Sequence, residues 1–307
     1  MMLRRRHLVR AHADASPNAW FVPAPPERLG ALRLLIGGYS LIYLWRRRRM
    51  LARIAETDAR LYAPVGLARP LRTPLPPAAA RATVDATLLA NAAFVAGAWH
   101  RITGPVYATL LLWTLSYRNS WSMIFHTDNT LVLHAIVLGC SRSADALAID
   151  ERRAGRAAPD RHWRYGWPIQ LMRALTTLPY LLAGIAKVKG PLGWRWATGE
   201  SLRRQVAVDG LRKELLGSSA APAAFALYRH VALFRALAVG SLAVELLAPA
   251  TLASRRASQL WALNALGMHW GILAVMGIKF RYQLAGVAFA PFFPVERVIA
   301  RAVEVVR

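Results

Sequence analysis

Lys187 stands near the end of an apolar run, YLLAGIAKVKG, that spans Tyr180 to Gly190. A lysine in apolar surroundings loses the hydration of its ammonium, and a neutral amine there can take a proton near neutral pH. Glu245, in SLAVELLAPA, and His269, in GMHWG, are ionisable residues in equally oily stretches. A lone carboxylate in such a run must find a cation or a proton, and a histidine changes charge near physiological pH. Asp128 and Asn129, within HTDNT, add a further polar pair. The chemistry these types can do together is proton transfer, with Lys187, Asn129, Glu245 and His269 as the candidate catalytic groups. Each also has a structural reading. Lys187 can snorkel to headgroups. Glu245 can sit in an ion pair with Arg235, Arg173 or Lys187. His269 can be a core histidine, and Asp128 can cap a helix.

Helical periodicity groups these residues. On a helix over Trp167–Val188, residues Gln170, Arg173, Thr177, Tyr180, Gly184 and Lys187 fall in one arc, with Leu171, Leu175, Leu178, Leu182 and Ile185 opposite or beside it. Lys189 points elsewhere and reads as a headgroup lysine. Ala183 and Gly184 allow a neighbouring backbone to come close, and Pro179 bends the helix near Tyr180. His126, Thr130 and His134 form a second stripe. It lacks the further ligand a metal needs, so packing in a polar cavity is the preferred reading and no metal is expected.

The element that must carry such a stripe is a membrane helix. Of the 307 residues 55% are apolar, and 40 basic residues face 16 acidic ones, a net charge of +24. The apolar residues come in long blocks: Leu29–Trp45, Val231–Ala253 and Ala257–Ile278, with less certain spans at Val84–Trp99, Gly104–Phe125, Asp128–Cys140, Trp167–Val188 and Leu284–Pro294. A hydrocarbon core about 30 Å thick needs about 20 such residues per helix. The expected fold is therefore all-α, a polytopic transmembrane bundle of about six to eight helices. The arginines cluster between the blocks, at Arg46–Arg49, Arg152–Arg156, Arg203–Arg204 and Arg255–Arg256. They read as contacts to anionic headgroups rather than to nucleic acid. Residues 1–27 form a basic tail without the apolar core of a signal peptide, 28–294 the membrane domain, and 295–307 a short tail. Arg69–Ala80 and Asp150–His162 read as linkers. Glu200–Ser219 reads as an interfacial amphipathic helix broken or bent near Gly210. Cys140 is the only cysteine, which rules out an intrachain disulfide and a CxxC site. No HExxH, GxSxG or Walker A sequence is present, which removes the usual support for protease, hydrolase and nucleotide-binding readings.

Several stretches recur in the order of a known family. They are RLGALRLLIGGYSLIYLW with Arg33 and Gly37, LYAPVGLARPL, YRNSWSMIFHTDNTLVLHAIVLGC running on to Asp150, and YLLAGIAKVKG followed by Trp196 and Gly199. Glu245 with Pro249, and His269, follow. Over about Arg28 to Pro294 the chain resembles the HTTM-domain membrane proteins, whose membrane domain is shared with vitamin K-dependent gamma-carboxylase. The resemblance implies a reduced quinone as cofactor, activated by the lysine of the Ala-Gly-x-x-Lys pattern, here Lys187. Asp128, Arg173, Tyr180 and Trp196 are the candidate lining for that quinol, with Trp196 also readable, like Trp194, as an interface-belt residue, and the resemblance implies an integral protein of a bacterial plasma membrane with lipids as partners. The Asn-His pair of the carboxylase is matched by HTDNT, where Asn129 has no histidine at the matching place. No protein substrate is legible. The alternative is a non-enzymatic membrane protein that binds or moves a lipophilic small molecule.

Overall fold

The computed structural model describes residues 19–298 apart from 126, 156–158 and 253. The N-terminal tail up to residue 18, His126 and the last nine residues lie outside the described residues. Among the described residues the chain is all-helical, with one isolated bridge between Ala24 and His162 and no strand. Two compact units form, one from residues up to Met172 together with Pro294 onward, the other from Arg173 to Phe293.

The first unit holds α1 (Pro26–Arg53), α2 (Pro77–Ala96), α3 (His100–Asn119), α4 (Thr127–Gly139) and α5 (Ile149–Ala154). Helix α1 packs on α2 and α4, α2 on α3, and α3 on α4, which closes a ring of four. Small residues set the closest approach. A Cβ on Gly139 would lie 2.6 Å from the Gly104 carbonyl oxygen, so α3 and α4 cross backbone to backbone. Arg33 is fully buried and serves the fold. Its Nε donates to Ser143 O (3.0 Å), Nη1 to Phe94 O (3.0 Å) and to Val95 O, and Nη2 to Leu147 O (2.6 Å). One guanidinium thus satisfies carbonyls at the end of α2 and in the loop after α4, groups that are costly to bury unpaired. Asp150 performs the mirror task, accepting from the backbone N–H of Trp99 (2.8 Å) and His100 (2.7 Å) at the start of α3.

Helix α6 (Trp163–Lys189) runs from the first unit into the second. It is the one helix among the described residues that is long and apolar enough to cross a membrane, and only 28% of its most apolar stretch is buried. The second unit continues with a 3-10 turn at Gly193–Thr198, α7 (Glu200–Leu215), α8 (Pro222–Ala226), α9 (Val231–Leu246), α10 (Arg255–Met276), α11 (Arg281–Leu284) and a 3-10 turn at Val287–Phe292. Its core gathers Val206, Ala221, Ala224, Phe234 and Val275.

Sequence expectations change here. The block Val231–Ala253 is α-helical only to Leu246 and continues in a 3-10 turn at Ala248–Leu252. Helix α7 passes through Gly210 without a break, because Gly210 is buried and its open Cα face packs against the Phe225 ring. The expected span Leu284–Pro294 is no helix of that length. Gly286, at φ 72°, and Pro291 hold it to a short helix and a 3-10 turn.

Candidate functional site

The stripe on α6 faces α9 at Gly184. A Cβ at Gly184 would lie 2.8 Å from the Glu245 Cβ and 3.0 Å from Leu246 Cδ2, so only glycine allows this crossing. One turn further along α6, Lys187 Nζ forms an ion pair with Glu245 Oε1. The Glu245 side chain is 7% exposed and that of Lys187 24%. The ammonium also lies 5.1 Å from the centre of the Trp196 ring, within range of a cation–π contact. Trp196 is positioned by the 3-10 turn, which seats it on Ala238 and Leu242 of α9. Gly199 ends that turn at φ 80°, pressed against the backbone of Phe234 and Arg235.

Two turns before Lys187 on the same face, the Tyr180 hydroxyl is hydrogen-bonded to His269 Nε2 at 2.7 Å. The Tyr180 ring meets the Trp261 ring edge-on at 5.0 Å, and His269 lies 4.8 Å from Phe280. Trp261 Nε1 donates to Val244 O at 2.7 Å, which fixes α10 to the last turn of α9 beside Glu245. Within this cluster Glu245 Oε2, His269 Nδ1 and Trp196 Nε1 are buried with no hydrogen-bond partner among the described residues. An acceptor oxygen, a ring nitrogen and an indole N–H are thus buried without partners among aromatic faces.

Lys187, Glu245, Tyr180, His269 and Trp196 are thus brought together in the second unit by α6, α9, α10 and the 3-10 turn. Arg173, on the same stripe, sends Nε to Pro291 O (2.9 Å) and lies 5.8 Å from the Phe292 ring. Lys189 is exposed, as its position off the stripe requires. The two tryptophans of the turn part company, with Trp194 67% exposed and Trp196 buried. Trp261 and Phe280 were not among the expected residues. Their helical spacing from His269 and the short loop after α10 are the only sequence signals for them.

Asp128 and Asn129 belong to the first unit. Asp128 is buried at the start of α4, where Arg118 Nη1 donates to Oδ2 at 2.7 Å and the Tyr43 hydroxyl donates to the same oxygen at 2.8 Å. Its carboxylate is held by side chains of α3 and α1 rather than spent on capping its own helix. The Arg118 guanidinium lies 4.0 Å from the Phe125 ring. Asn129 is exposed. In the second stripe, Thr130 and His134 are buried, with His134 Nε2 at 3.3 Å from Met172 O. Among the described residues no group of three or more His, Cys, Asp or Glu is placed to hold a metal. No protein-family model, curated protein or solved structure matches this chain.

Proposed function

We propose that the chain is an integral membrane protein, a polytopic bundle of about six to eight helices in a bacterial plasma membrane, whose second unit binds a lipophilic quinol and accepts a proton from it through Lys187 and Glu245. The observation that carries the reading is the Lys187–Glu245 pair, set where two helices touch at Gly184, with one carboxylate oxygen unpartnered and aromatic rings around it. The membrane reading is supported by apolar side chains on the outer faces of the helices, among them Ile42, Leu89, Ile102, Leu178, Leu182, Leu260 and Leu263. Such faces suit lipid and are unusual in a soluble monomer. The resemblance to the HTTM-domain family points the same way.

A reduced quinone supplies, when bound, acidic hydroxyls and two electrons. The chain's own residues do the rest. Lys187 Nζ passes one proton to Glu245 Oε1, which frees the amine lone pair for the next proton. When that proton arrives, Lys187 is again charged and Glu245 is neutral. The pair therefore gains one proton while the positive charge stays beside the group that released it. This matters because an uncompensated charge in apolar surroundings is costly. The Trp196 face steadies the ammonium. The Tyr180–His269 hydrogen bond orients both side chains toward the same stripe, and Trp261 locks α10 in place.

A second reading is a non-enzymatic protein that binds or moves a lipophilic molecule. The closed Lys187–Glu245 contact favours it, since a satisfied ion pair can join two helices without moving a proton. One experiment separates the two. The full chain is extracted from membranes with detergent, given reduced quinones and oxygen, and followed by quinol absorbance. Turnover that falls in Lys187→Met and Glu245→Gln supports the enzyme. Equal turnover in the wild type and both variants rejects it. Tight copurification of a lipophilic molecule without turnover supports the binder.

A further inference from the structure

Helix α7, in the second unit, is apolar on two faces. Val206 and Gly210 point inward, Val206 into the core with Ala224, Phe234 and Val275, and Gly210 against the Phe225 ring. On the other side Val208, Leu211 and Leu215, spaced three and four apart, form one stripe. They are 63%, 55% and 85% exposed. The 3-10 turn before α7 extends the same surface. Leu192 and Arg195 line one groove of about 480 Å³ with Arg204, Val208 and Arg212 of α7. Trp194, on that turn, also stands out from the chain.

The charge beside this stripe is one-sided. Lys189 to Leu216 holds six basic and three acidic residues, and the acids are already engaged. Glu200 pairs with Arg203 and Arg204, Asp209 with Arg212 and Lys213, and Glu214 accepts from the Ala220 N–H at 2.7 Å. Lys189 and Arg195 are exposed and form no ion pair among the described residues. The side chains of Arg204 and Arg212 are 72% and 67% exposed, and ion pairs so open to solvent hold weakly. Four cationic heads are therefore available next to an uncovered row of aliphatic side chains. A partner that suits both must be anionic at one depth and oily at the next. The boundary between headgroups and acyl chains in an acidic bilayer has that layering, and basic amphipathic surfaces bind it by apolar burial and charge together. An exposed tryptophan at the edge of the surface suits the same layer.

We propose that this surface is seated on acidic phospholipid, with Val208, Leu211 and Leu215 at the top of the acyl chains and Lys189, Arg195, Arg204 and Arg212 at the phosphates. The proposal rests on the membrane reading above and adds a lipid preference to it. It does not depend on the quinol.

The test uses the full chain in lipid discs of equal parts phosphatidylglycerol and phosphatidylcholine. The exposed Cys140 is replaced by serine, and one new cysteine carries a nitrobenzoxadiazole label. A label in place of Leu182, exposed on α6, reports the membrane reading by itself. Labels in place of Leu211 or Leu215 report the surface. A spin label near the headgroup end of the acyl chain is carried by one lipid or by the other. Quenching at 211 and 215 is expected to be about twofold or more stronger when phosphatidylglycerol carries the spin label. Arg195→Gln/Arg212→Gln, two exposed positions outside the core, removes that difference. Three results overturn the proposal: labels that aqueous iodide reaches freely, labels sheltered from iodide but unquenched by lipid (a protein covers the face), or equal quenching by the two lipids. A preference that survives in the arginine variant overturns it as well. When a spin label deep in the acyl chains quenches the Leu182 position, each of these outcomes strikes the surface alone. An unquenched Leu182 position strikes the membrane reading and the proposal together.

Discussion

Replacing Lys187 with methionine leaves Glu245 without its cation at a place water does not reach, since its side chain is 7% exposed and its Cβ abuts Gly184. The carboxyl then takes up a proton rather than stay charged. Neutralising a carboxyl of ordinary pKa, about 4.3, at pH 7 costs about 3–4 kcal/mol. The opposite variant, Glu245→Gln, is milder. The Lys187 side chain is 24% exposed, so its ammonium can turn outward and stay solvated, and the loss should be about 1–2 kcal/mol. The double variant removes both charges and should recover most of the Lys187→Met loss, since an orphaned charge costs more than the pair contributes. The assay is thermal or denaturant unfolding of the detergent-purified proteins, with the coupling taken from the double-mutant cycle. A pH series adds a second check, because the Lys187→Met penalty should shrink by about 1.4 kcal/mol per unit as pH falls from 7 toward 5. Equal losses in the two single variants, an additive double variant, or a pH-independent penalty would refute the reasoning.

Gly184→Ala places a methyl 2.8 Å from the Glu245 Cβ, forces α6 and α9 apart and should lower stability by about 1–3 kcal/mol in the same unfolding assay. Arg33→Met leaves carbonyls of Ser143, Phe94, Val95 and Leu147 without their donor. The loss should be at least about 4 kcal/mol, seen as aggregation on size-exclusion chromatography. Burial, the largest single influence, pushes the Glu296 carboxyl up, but the hydrogen bonds and charge of Arg28, a backbone hydrogen bond and the charge of Arg297 together outweigh it and hold the carboxyl below its ordinary value. That stabilisation is present above the unfolded value and lost as pH falls through the folded one. The melting-temperature gap between wild type and Glu296→Gln should therefore be steady above about pH 5 and close toward pH 3.

The long helices were legible because their cause is local. Leu29–Trp45, Trp167–Val188 and Ala257–Ile278 lie inside α1, α6 and, but for its last two residues, α10, since an unbroken apolar block between charges and turn residues has few other solutions. The Lys187–Glu245 pair was legible for a related reason. A single acid in an oily run must find a cation, and the sequence offered Arg235, Arg173 and Lys187, of which the fold selects Lys187. The Tyr180–His269 contact was not, because nothing in the spacing says which face of α10 meets α6. Asp128 shows the same limit. Its partners Arg118 and Tyr43 lie on other helices, and Arg118 at the end of α3 reads as a boundary residue until the ring of four helices closes. Arg33 was visible as a charge inside an apolar run but its task was not, because backbone carbonyls carry no sequence signature.

The turn that seats Trp196 has a consequence for how this sequence can drift. At Gly199 the obstructing atoms are the peptide groups of Phe234 and Arg235, which every residue type shares. No compensating change on α9 can make room, so a saturation library should accept nothing but glycine there. Gly240, Gly267 and Gly271 face open space in helical conformations and should accept many substitutions in the same library.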